Sequence, residues 1–191
     1  SIINIVNWLD GLDGLAAGVG TIAALLFAWH SLRLGLSGQE AVAAFPLALA
    51  GALLGFLPFN FAPARIFLGT AGAYFLGYNL ATMAILSPAK IATALLVLAI
   101  PILDGLWRVI DRLRHGRSPF RGDRGHLHFL LVDAGWPTRI IVLGYYGITL
   151  LFGLVAIFAT GFMKLIILIG LGAAVLGLFV LVGDGRSINP D

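Results

Sequence analysis

The sequence contains no cysteine, and only 11% of its residues are charged. The absence of cysteine excludes cysteine–metal chemistry and leaves the redox compartment undetermined. So little charge excludes an ordinary soluble domain, in which about a quarter of the residues are charged. Segments of alternating polarity, which are typical of a transmembrane β-barrel, are also lacking. Hydrophobic residues make up 60% of the chain and its mean hydropathy is +1.00, so we predict a helical membrane protein.

Six apolar segments approach the length needed to cross a hydrocarbon layer about 30 Å thick. We predict an all-α polytopic bundle whose spans cover residues 14–34, 40–57, 69–86, 90–110, 139–160 and 163–183. Pro101 should kink the fourth span or divide it into two half-helices, because proline donates no helical hydrogen bond. We expect residues 1–191 to form one membrane domain, the C-terminal portion of a longer protein, since Ser1 is not a methionine and opens directly into a polar motif.

Basic residues are unevenly divided between the two ends of these spans. Of the twelve Lys and Arg residues, nine fall on the side that holds both chain ends. We predict loops on that side at about residues 1–13, 58–68, 111–138 and 184–191. Positively charged loops favour the cytoplasm, which places this side there. Because topology accounts for the net charge of +3, we expect no nucleic acid as a partner.

The N-terminal stretch carries polar residues at every third position, namely Asn4, Asn7, Asp10 and Asp13. This spacing is close to one helical turn, so the four side chains should project to one side. Carboxylate and amide oxygens suit a hard cation such as Mg²⁺. A helix cap is the plainer interpretation, but a cap requires one acidic residue and not four aligned polar groups.

Two later segments carry further candidate residues. Asn60 lies among phenylalanines, which predicts either a surface that stacks on a flat base or an interfacial aromatic belt. The segment 104–138 is rich in arginine, which binds phosphates or merely sets topology and contacts lipid headgroups. Its His126 and His128 would project together from an extended segment, although zinc would need a second ligand pair. Asp104, near the end of an apolar span, is a functional candidate.

Three stretches in this order resemble the polyprenyl-phosphate N-acetylhexosamine-1-phosphate transferases of glycosyltransferase family 4: NIVNWLDGLDGLA, FNFAPARIFLGTAG and PILDGLWRVIDRLRHGRSPFRGDRGHLH. The last stretch is most similar to the undecaprenyl-phosphate GlcNAc-1-phosphate transferase branch, which is related to phospho-N-acetylmuramoyl-pentapeptide transferase. The resemblance implies transfer of a sugar-1-phosphate, such as GlcNAc-1-phosphate, from a UDP-N-acetylhexosamine to undecaprenyl phosphate, with release of UMP.

The resemblance also implies the setting and the partners of that reaction. It implies a multi-pass protein of the bacterial inner membrane, embedded in membrane lipids, whose active site faces the cytoplasm. The cofactor would be Mg²⁺ or Mn²⁺. The product would serve peptidoglycan, lipopolysaccharide or a related envelope polymer. Whether the chain forms a homodimer is left open.

The same resemblance assigns roles to individual residues. Asn4, Asn7 and Asp10 would line the diphosphate and metal region, with Asp10 as metal ligand. The uridine pocket would contain Gly11, Leu12, Asp13, Asn60 and Phe67. His126 and His128 would lie near the sugar and phosphates and take part in catalysis with Asp10. Arg121 and Arg124 would bind substrate.

The chain departs from the family pattern at two important points. Thr70 occupies the position at which the family usually carries a metal-binding aspartate, and a neutral hydroxyl is a poorer Mg²⁺ ligand. The paired aspartates of an earlier cytoplasmic loop are not within this sequence. Phe129 also replaces a histidine common in the GlcNAc branch. A degenerate or truncated member that binds nucleotide-sugar or lipid without turnover is therefore the alternative. A transporter is disfavoured, because the acidic residues gather at one membrane face.

Overall fold

The structure, a computed structural model, describes residues 2–33, 39–86, 90–114, 116, 125–159 and 161–184. Within these ranges the chain is helical and has no strand, which confirms the predicted all-α fold. The helices are α1 (Ile2–Leu9), α2 (Leu15–Arg33), α3 (Gln39–Asn60), α4 (Gly69–Leu86), α5 (Lys90–Val97), α6 (Ala99–Arg114), α7 (Leu127–Asp133), α8 (Thr138–Phe158) and α9 (Gly161–Asp184).

Each predicted span coincides with a helix or a helix pair. Among the described residues, three helices are long and apolar enough to cross a membrane: Leu15–Arg33, Glu40–Asn60 and Thr138–Phe158. The other predicted spans are helical as α4, as α5 with α6, and as α9. The protein is therefore a polytopic helical membrane bundle.

The fourth predicted span is divided, as the position of Pro101 led us to expect. Helix α5 ends at Val97 and α6 begins at Ala99. Pro101 has no backbone N–H to donate to the carbonyl of Val97, so one helical hydrogen bond is missing at this point. The chain stays helical on either side, because the Leu98 amide donates to Ala94 and the Leu98 carbonyl accepts from Ile102, both at 3.0 Å.

Helix α2 forms the centre of the bundle. Its side chains are mostly small and apolar on all faces. Most of its residues are buried, including Leu15 and Phe27 at 0% exposure. Helices α3, α4 and α8 pack around it. A helix that is apolar all round belongs inside a bundle rather than at its surface.

The predicted cytoplasmic loops contain more helix than we expected. Residues 2–9 form α1, residues 58–60 complete α3, α6 continues to Arg114, and α7 occupies Leu127–Asp133. Helix α1 buries Val6 and Leu9 and lies against α4 and α6. These short helices bury apolar side chains on the end of the bundle, which explains why polar loop sequences adopt helical structure there. Residues 185–191 lie outside the described residues.

Candidate functional site

A cavity of about 470 Å³ opens where the α1–α2 turn, the end of α3 and the start of α4 meet. It joins two of the predicted polar segments, although they are separated by about 50 residues of sequence. Its lining comprises Asn7, Asp10, Gly11, Leu12, Asp13, Asn60, Phe67, Leu68, Gly69 and Thr70. Asn4, by contrast, is exposed on α1 and does not line this cavity.

The loop that follows α3 is held in place by hydrogen bonds from its own turn and from neighbouring elements. Asp13 Oδ2 accepts a bond from the Ala64 amide at 2.9 Å, and Asn60 Nδ2 donates to the Ile66 carbonyl at 3.0 Å. Arg139 of α8 donates to the Ala62 carbonyl at 2.9 Å. The loop thereby presents Phe67 with 71% of its side chain exposed at the cavity.

Asn60 has one buried side-chain atom without a hydrogen-bond partner. The residue is 3% exposed, and its Oδ1 has no hydrogen-bond partner within the described structure. A buried amide oxygen without a partner is costly, so such an atom commonly awaits a donor from a ligand or a water molecule. Because Asn60 lines the cavity, a donor group of a bound ligand could satisfy it.

Asp10 is the carboxylate most affected by the cavity. Partial burial raises the pKa of Asp10 to about 6, and the neighbouring Asp13 charge adds to the increase. A hydrogen bond from the Gly69 backbone amide acts in the opposite direction and lowers the pKa. A carboxylate that is desolvated and faces another acid is favourably placed to bind a cation.

Asp10 and Thr70 are the oxygen donors at the metal position that the sequence analysis considered. In the part of the chain that the structure describes, no three His, Asp or Glu side chains converge in a way that could hold a metal. Mg²⁺ does not require such a cluster, because it is commonly held by one or two carboxylates together with water and substrate phosphates. The donor set therefore fits Mg²⁺ bound through Asp10, with Thr70 offering only a hydroxyl.

The predicted histidines lie next to this cavity, at the start of α7. His126 is the residue before the helix, with ψ 148°, and His128 lies in the first turn. The two rings are parallel, with centroids 5.7 Å apart. The two rings project together as expected, but the segment is extended only at His126 and becomes helical at Leu127, so a fully extended segment is not required.

His128 forms part of the structure behind the cavity wall. It is 0% exposed, and neither ring nitrogen has a hydrogen-bond partner in the described structure. A Cβ atom added at Gly11 would lie 2.5 Å from His128 Nε2, so the ring packs directly on the backbone beside Asp10. Burial lowers the pKa of His128 to about 4, with Asp104 opposing this and His126 adding to it. His128 is therefore neutral at physiological pH.

The structure thus brings the asparagine–aspartate cluster, the phenylalanine-rich loop and the histidine segment together at one end of the bundle. Arg121 and Arg124 lie outside the described residues. Sequence reasoning did not find Leu68 or Gly69, which line the cavity, or Trp8, whose ring lies 5.7 Å from that of His126. Helical periodicity alone places Trp8 on a different face of α1 from Asn7, so no polar pattern marks it.

Comparison with known proteins bears on the family of the chain. The model of the family described as glycosyl transferase family 4 matches residues 1–88. The chain is also 39% identical over 170 residues to decaprenyl-phosphate N-acetylglucosaminephosphotransferase of Mycobacterium tuberculosis (strain H37Rv), covering 76% of this chain and 42% of that protein. These matches are consistent with membership of glycosyl transferase family 4. The resemblance noted from the motifs is thereby confirmed.

Two further relatives show the breadth of this family. The chain is 34% identical over 162 residues to a probable undecaprenyl-phosphate N-acetylglucosaminyl 1-phosphate transferase of Bacillus subtilis, covering 82% of this chain and 44% of the relative. It is 36% identical over 157 residues to a phospho-N-acetylmuramoyl-pentapeptide-transferase of Moorella thermoacetica, covering 81% and 48%. The chain spans less than half the length of these curated relatives.

Proposed function

We propose that this chain forms the nucleotide-sugar site of a transferase that moves GlcNAc-1-phosphate, or a similar sugar-1-phosphate, from a UDP-N-acetylhexosamine to undecaprenyl phosphate. The observation that supports this most is the cavity in which Asp10, Asp13, Asn60 and Phe67 meet at one end of an apolar bundle. A water-soluble nucleotide can enter such a site from solution, while a lipid phosphate can approach from the membrane beside it.

The uridine moiety fits the part of the cavity formed by the α1–α2 turn and the loop after α3. The exposed ring of Phe67 offers a stacking surface for a flat base. Asn60 Oδ1 offers an acceptor for an N–H donor, and uracil carries one such group. The remaining lining residues of this turn are Gly11, Leu12 and Asp13, and the first of these lets the backbone lie close to the base.

The diphosphate fits beside Asn7 and Asp10. A bound Mg²⁺ or Mn²⁺ would neutralise the charge of the diphosphate while the sugar-1-phosphate is transferred. Asp10 would hold the ion, and its carboxylate is oriented for this by the Gly69 amide. The Asn7 amide can donate a hydrogen bond to a phosphate oxygen at the cavity wall.

The reaction is a phosphoryl transfer in which positioning and charge stabilisation supply most of the acceleration. An oxygen of undecaprenyl phosphate attacks the β-phosphorus of the UDP-sugar, the bond from that phosphorus to the bridging oxygen breaks, and UMP leaves. His126 and His128 would lie near the sugar and phosphate groups on the α7 side, His128 behind the cavity wall as a neutral ring.

We further propose that the site faces the cytoplasm of a bacterial inner membrane. Basic residues are concentrated on the side that carries the cavity, including Arg65 in the loop after α3 and Arg139 at the start of α8. This bias supports the orientation, because positively charged segments are retained in the cytoplasm. The product would enter peptidoglycan, lipopolysaccharide or related envelope synthesis.

Thr70 supports a second candidate function, which is binding of the nucleotide-sugar without turnover. Thr70 lines the cavity in the position where the family resemblance leads us to expect an aspartate. With a single carboxylate at the metal position, affinity for the cation would fall while the uridine pocket stayed complete. The two candidates differ in chemistry and share the ligand.

Both candidates are tested with the chain in nanodiscs that contain undecaprenyl phosphate. Calorimetric titration with UDP-GlcNAc should give binding that Phe67→Ala weakens, whereas Phe75→Ala, which removes an exposed phenylalanine of α4 outside the cavity, should not. Release of UMP with Mg²⁺ but not with EDTA supports the transferase. Binding without UMP release supports the second candidate, and no binding contradicts both.

A further inference from the structure

Asp104 is a buried carboxylate whose two oxygens are both engaged by the start of α7. It lies on α6, beyond the cavity lining, and is 4% exposed. Its Oδ2 is 2.9 Å from His126 Nδ1, and its Oδ1 accepts the backbone N–H of Leu127 at 2.9 Å. A buried carboxylate is costly unless hydrogen bonds compensate it, so this pair of contacts specifies where α7 begins.

The contact also determines which nitrogen of His126 carries a proton. An ionised carboxylate only accepts hydrogen bonds, so Nδ1 must be the donor. Nδ1 keeps its proton whether the ring is neutral or charged, and in the neutral ring Nε2 is left with a free lone pair. We infer that Asp104 is a positioning residue that fixes the Nδ1–H tautomer of His126 and anchors α7 beside the cavity.

Asp104 can anchor α7 because the first backbone amides of this helix lack a capping side chain of their own. His126 has the extended backbone of an N-cap residue, yet its own side chain makes no capping hydrogen bond. The first amides of a helix need acceptors from elsewhere. Asp104 provides one for Leu127 from a neighbouring helix, which fixes both the position and the direction of α7.

The same anchor sets the position of the second histidine. His128 follows within the first turn of α7, and its ring packs on the Gly11 backbone. The Trp8 ring of α1 lies 5.7 Å from the His126 ring, and a Cβ added at Gly105 would lie 3.0 Å from that indole. Helices α1, α6 and α7 therefore interlock around Asp104, and its loss should disturb the histidines more than the uridine pocket.

The variant Asp104→Asn tests whether Asp104 controls the tautomer of His126 or merely fills space, because it keeps the shape of the side chain. Its amide oxygen can still accept the Leu127 N–H, but its amide nitrogen must then donate to His126 Nδ1. The proton of a neutral His126 would move to Nε2. Asp133→Asn is the matched control, because Asp133 is exposed at the other end of the same helix.

The tautomer is measured by NMR of imidazole ¹⁵N in the chain labelled with ¹⁵N-histidine in detergent micelles, under conditions in which the His126 spectrum is that of a neutral ring. His126→Gln identifies the His126 signals by difference. We expect Nδ1–H in the wild type and Asp133→Asn, and Nε2–H in Asp104→Asn. A wild-type Nε2–H tautomer, or an unchanged tautomer in Asp104→Asn, would overturn the inference. The wild-type spectrum decides even where the variant does not fold.

The consequence for turnover rests on the proposed function and is measured separately. With undecaprenyl phosphate and UDP-GlcNAc, Asp104→Asn should lower kcat by roughly 100-fold, because His126 would lose its orientation towards the reacting groups, and leave KM for UDP-GlcNAc within about twofold. An unchanged kcat would contradict the role. Absence of turnover in the wild type would count against the transferase, whereas the NMR result would still decide the role of Asp104.

Discussion

The Asp13 carboxylate accepts a hydrogen bond of 2.9 Å from the Ala64 backbone amide, which lies 51 residues later in the chain. This bond ties the α1–α2 turn to the loop that carries Phe67. The two elements that would enclose a base are therefore held in register by one acidic side chain. The Asp13 carboxylate therefore positions the loop that carries Phe67, in addition to any contact that it makes with a ligand.

Replacing Asp13 should weaken binding of the nucleotide-sugar without unfolding the protein. A hydrogen bond to a charged group contributes about 1.5–3 kcal/mol, and Asp13→Asn would lose part of it. We expect UDP-GlcNAc affinity to fall about tenfold, which corresponds to about 1.4 kcal/mol. Calorimetric titration measures this, with Thr82→Ala, in α4 and outside the cavity lining, as the control. Unchanged affinity in Asp13→Asn would show that the loop holds its position without the bond.

Gly18 and Gly51 give a matched pair of predictions for packing. A Cβ added at Gly18 would overlap the Tyr146 ring, whose hydroxyl donates a 2.6 Å hydrogen bond to the Gly14 carbonyl. Gly18→Ala should therefore destabilise the bundle by about 1–3 kcal/mol, the usual cost of overpacking. Gly51→Ala should be neutral or slightly stabilising, because nothing lies within 4 Å of the added atom. Thermal unfolding in detergent compares the two, and equal melting temperatures would contradict the packing of α2 on α8.

The fold was largely predictable from the sequence because membrane spans follow a local rule. A long apolar run must satisfy its backbone hydrogen bonds internally, so run length alone locates a helix. The break between Val97 and Ala99 followed from Pro101 by the same kind of local argument. The spacing of polar residues in the first segment already indicated the helical character of α1, whereas α7 was missed, because its stability comes from packing on the bundle end and not from its own sequence.

The candidate site was predictable in its residue types and less so in its geometry. The spacing of Asn7, Asp10 and Asp13 and the aromatic neighbours of Asn60 marked the cavity lining in advance. The same spacing led us to include Asn4 in the site, but the structure leaves Asn4 exposed on α1. The partnership of Asp104 with His126 spans 22 residues and depends on how α6 and α7 meet. No local pattern encodes such a contact, although the burial of an acid near a span end indicated its importance.

His128 should make the protein less stable in mild acid. Its pKa is lowered to about 4 by burial, and the unfolded chain has an ordinary histidine pKa of about 6.5. The unfolded state then binds more protons between these values, so this contribution is complete above pH 6.5 and is lost as pH falls towards 4. The loss is on the order of 3 kcal/mol at most.

The His128 effect must be separated from that of Asp10, whose raised pKa of about 6 has the opposite sign over much of the same range. His128→Gln removes only the histidine contribution. Chemical denaturation of both proteins at pH 7 and pH 4.5 should show a smaller loss of stability in acid for the variant. An identical loss in the two proteins would mean that His128 is not buried as a neutral ring.

Asp10 is expected to be essential for turnover and dispensable for folding. Asp10→Asn keeps the shape and the acceptor for the Gly69 amide, but removes the charge that would hold the cation. UMP release should therefore fall to the background level, while the melting temperature stays close to that of the wild type. Turnover that survives this change would remove Asp10 from the proposed metal position.

We expect Thr70 to determine whether the chain supports catalysis or binding alone. Thr70→Asp places a second carboxylate beside Asp10 at the cavity, and two carboxylates bind Mg²⁺ better than one. UMP release should rise and reach half-maximum at a lower Mg²⁺ concentration. Ala71→Asp is the matched control, because it adds the same charge at the next residue, which is exposed and outside the cavity lining. An equal response of both variants would indicate a general charge effect. No response of Thr70→Asp would show that the hydroxyl already suffices, so that the replaced aspartate does not explain any lack of turnover.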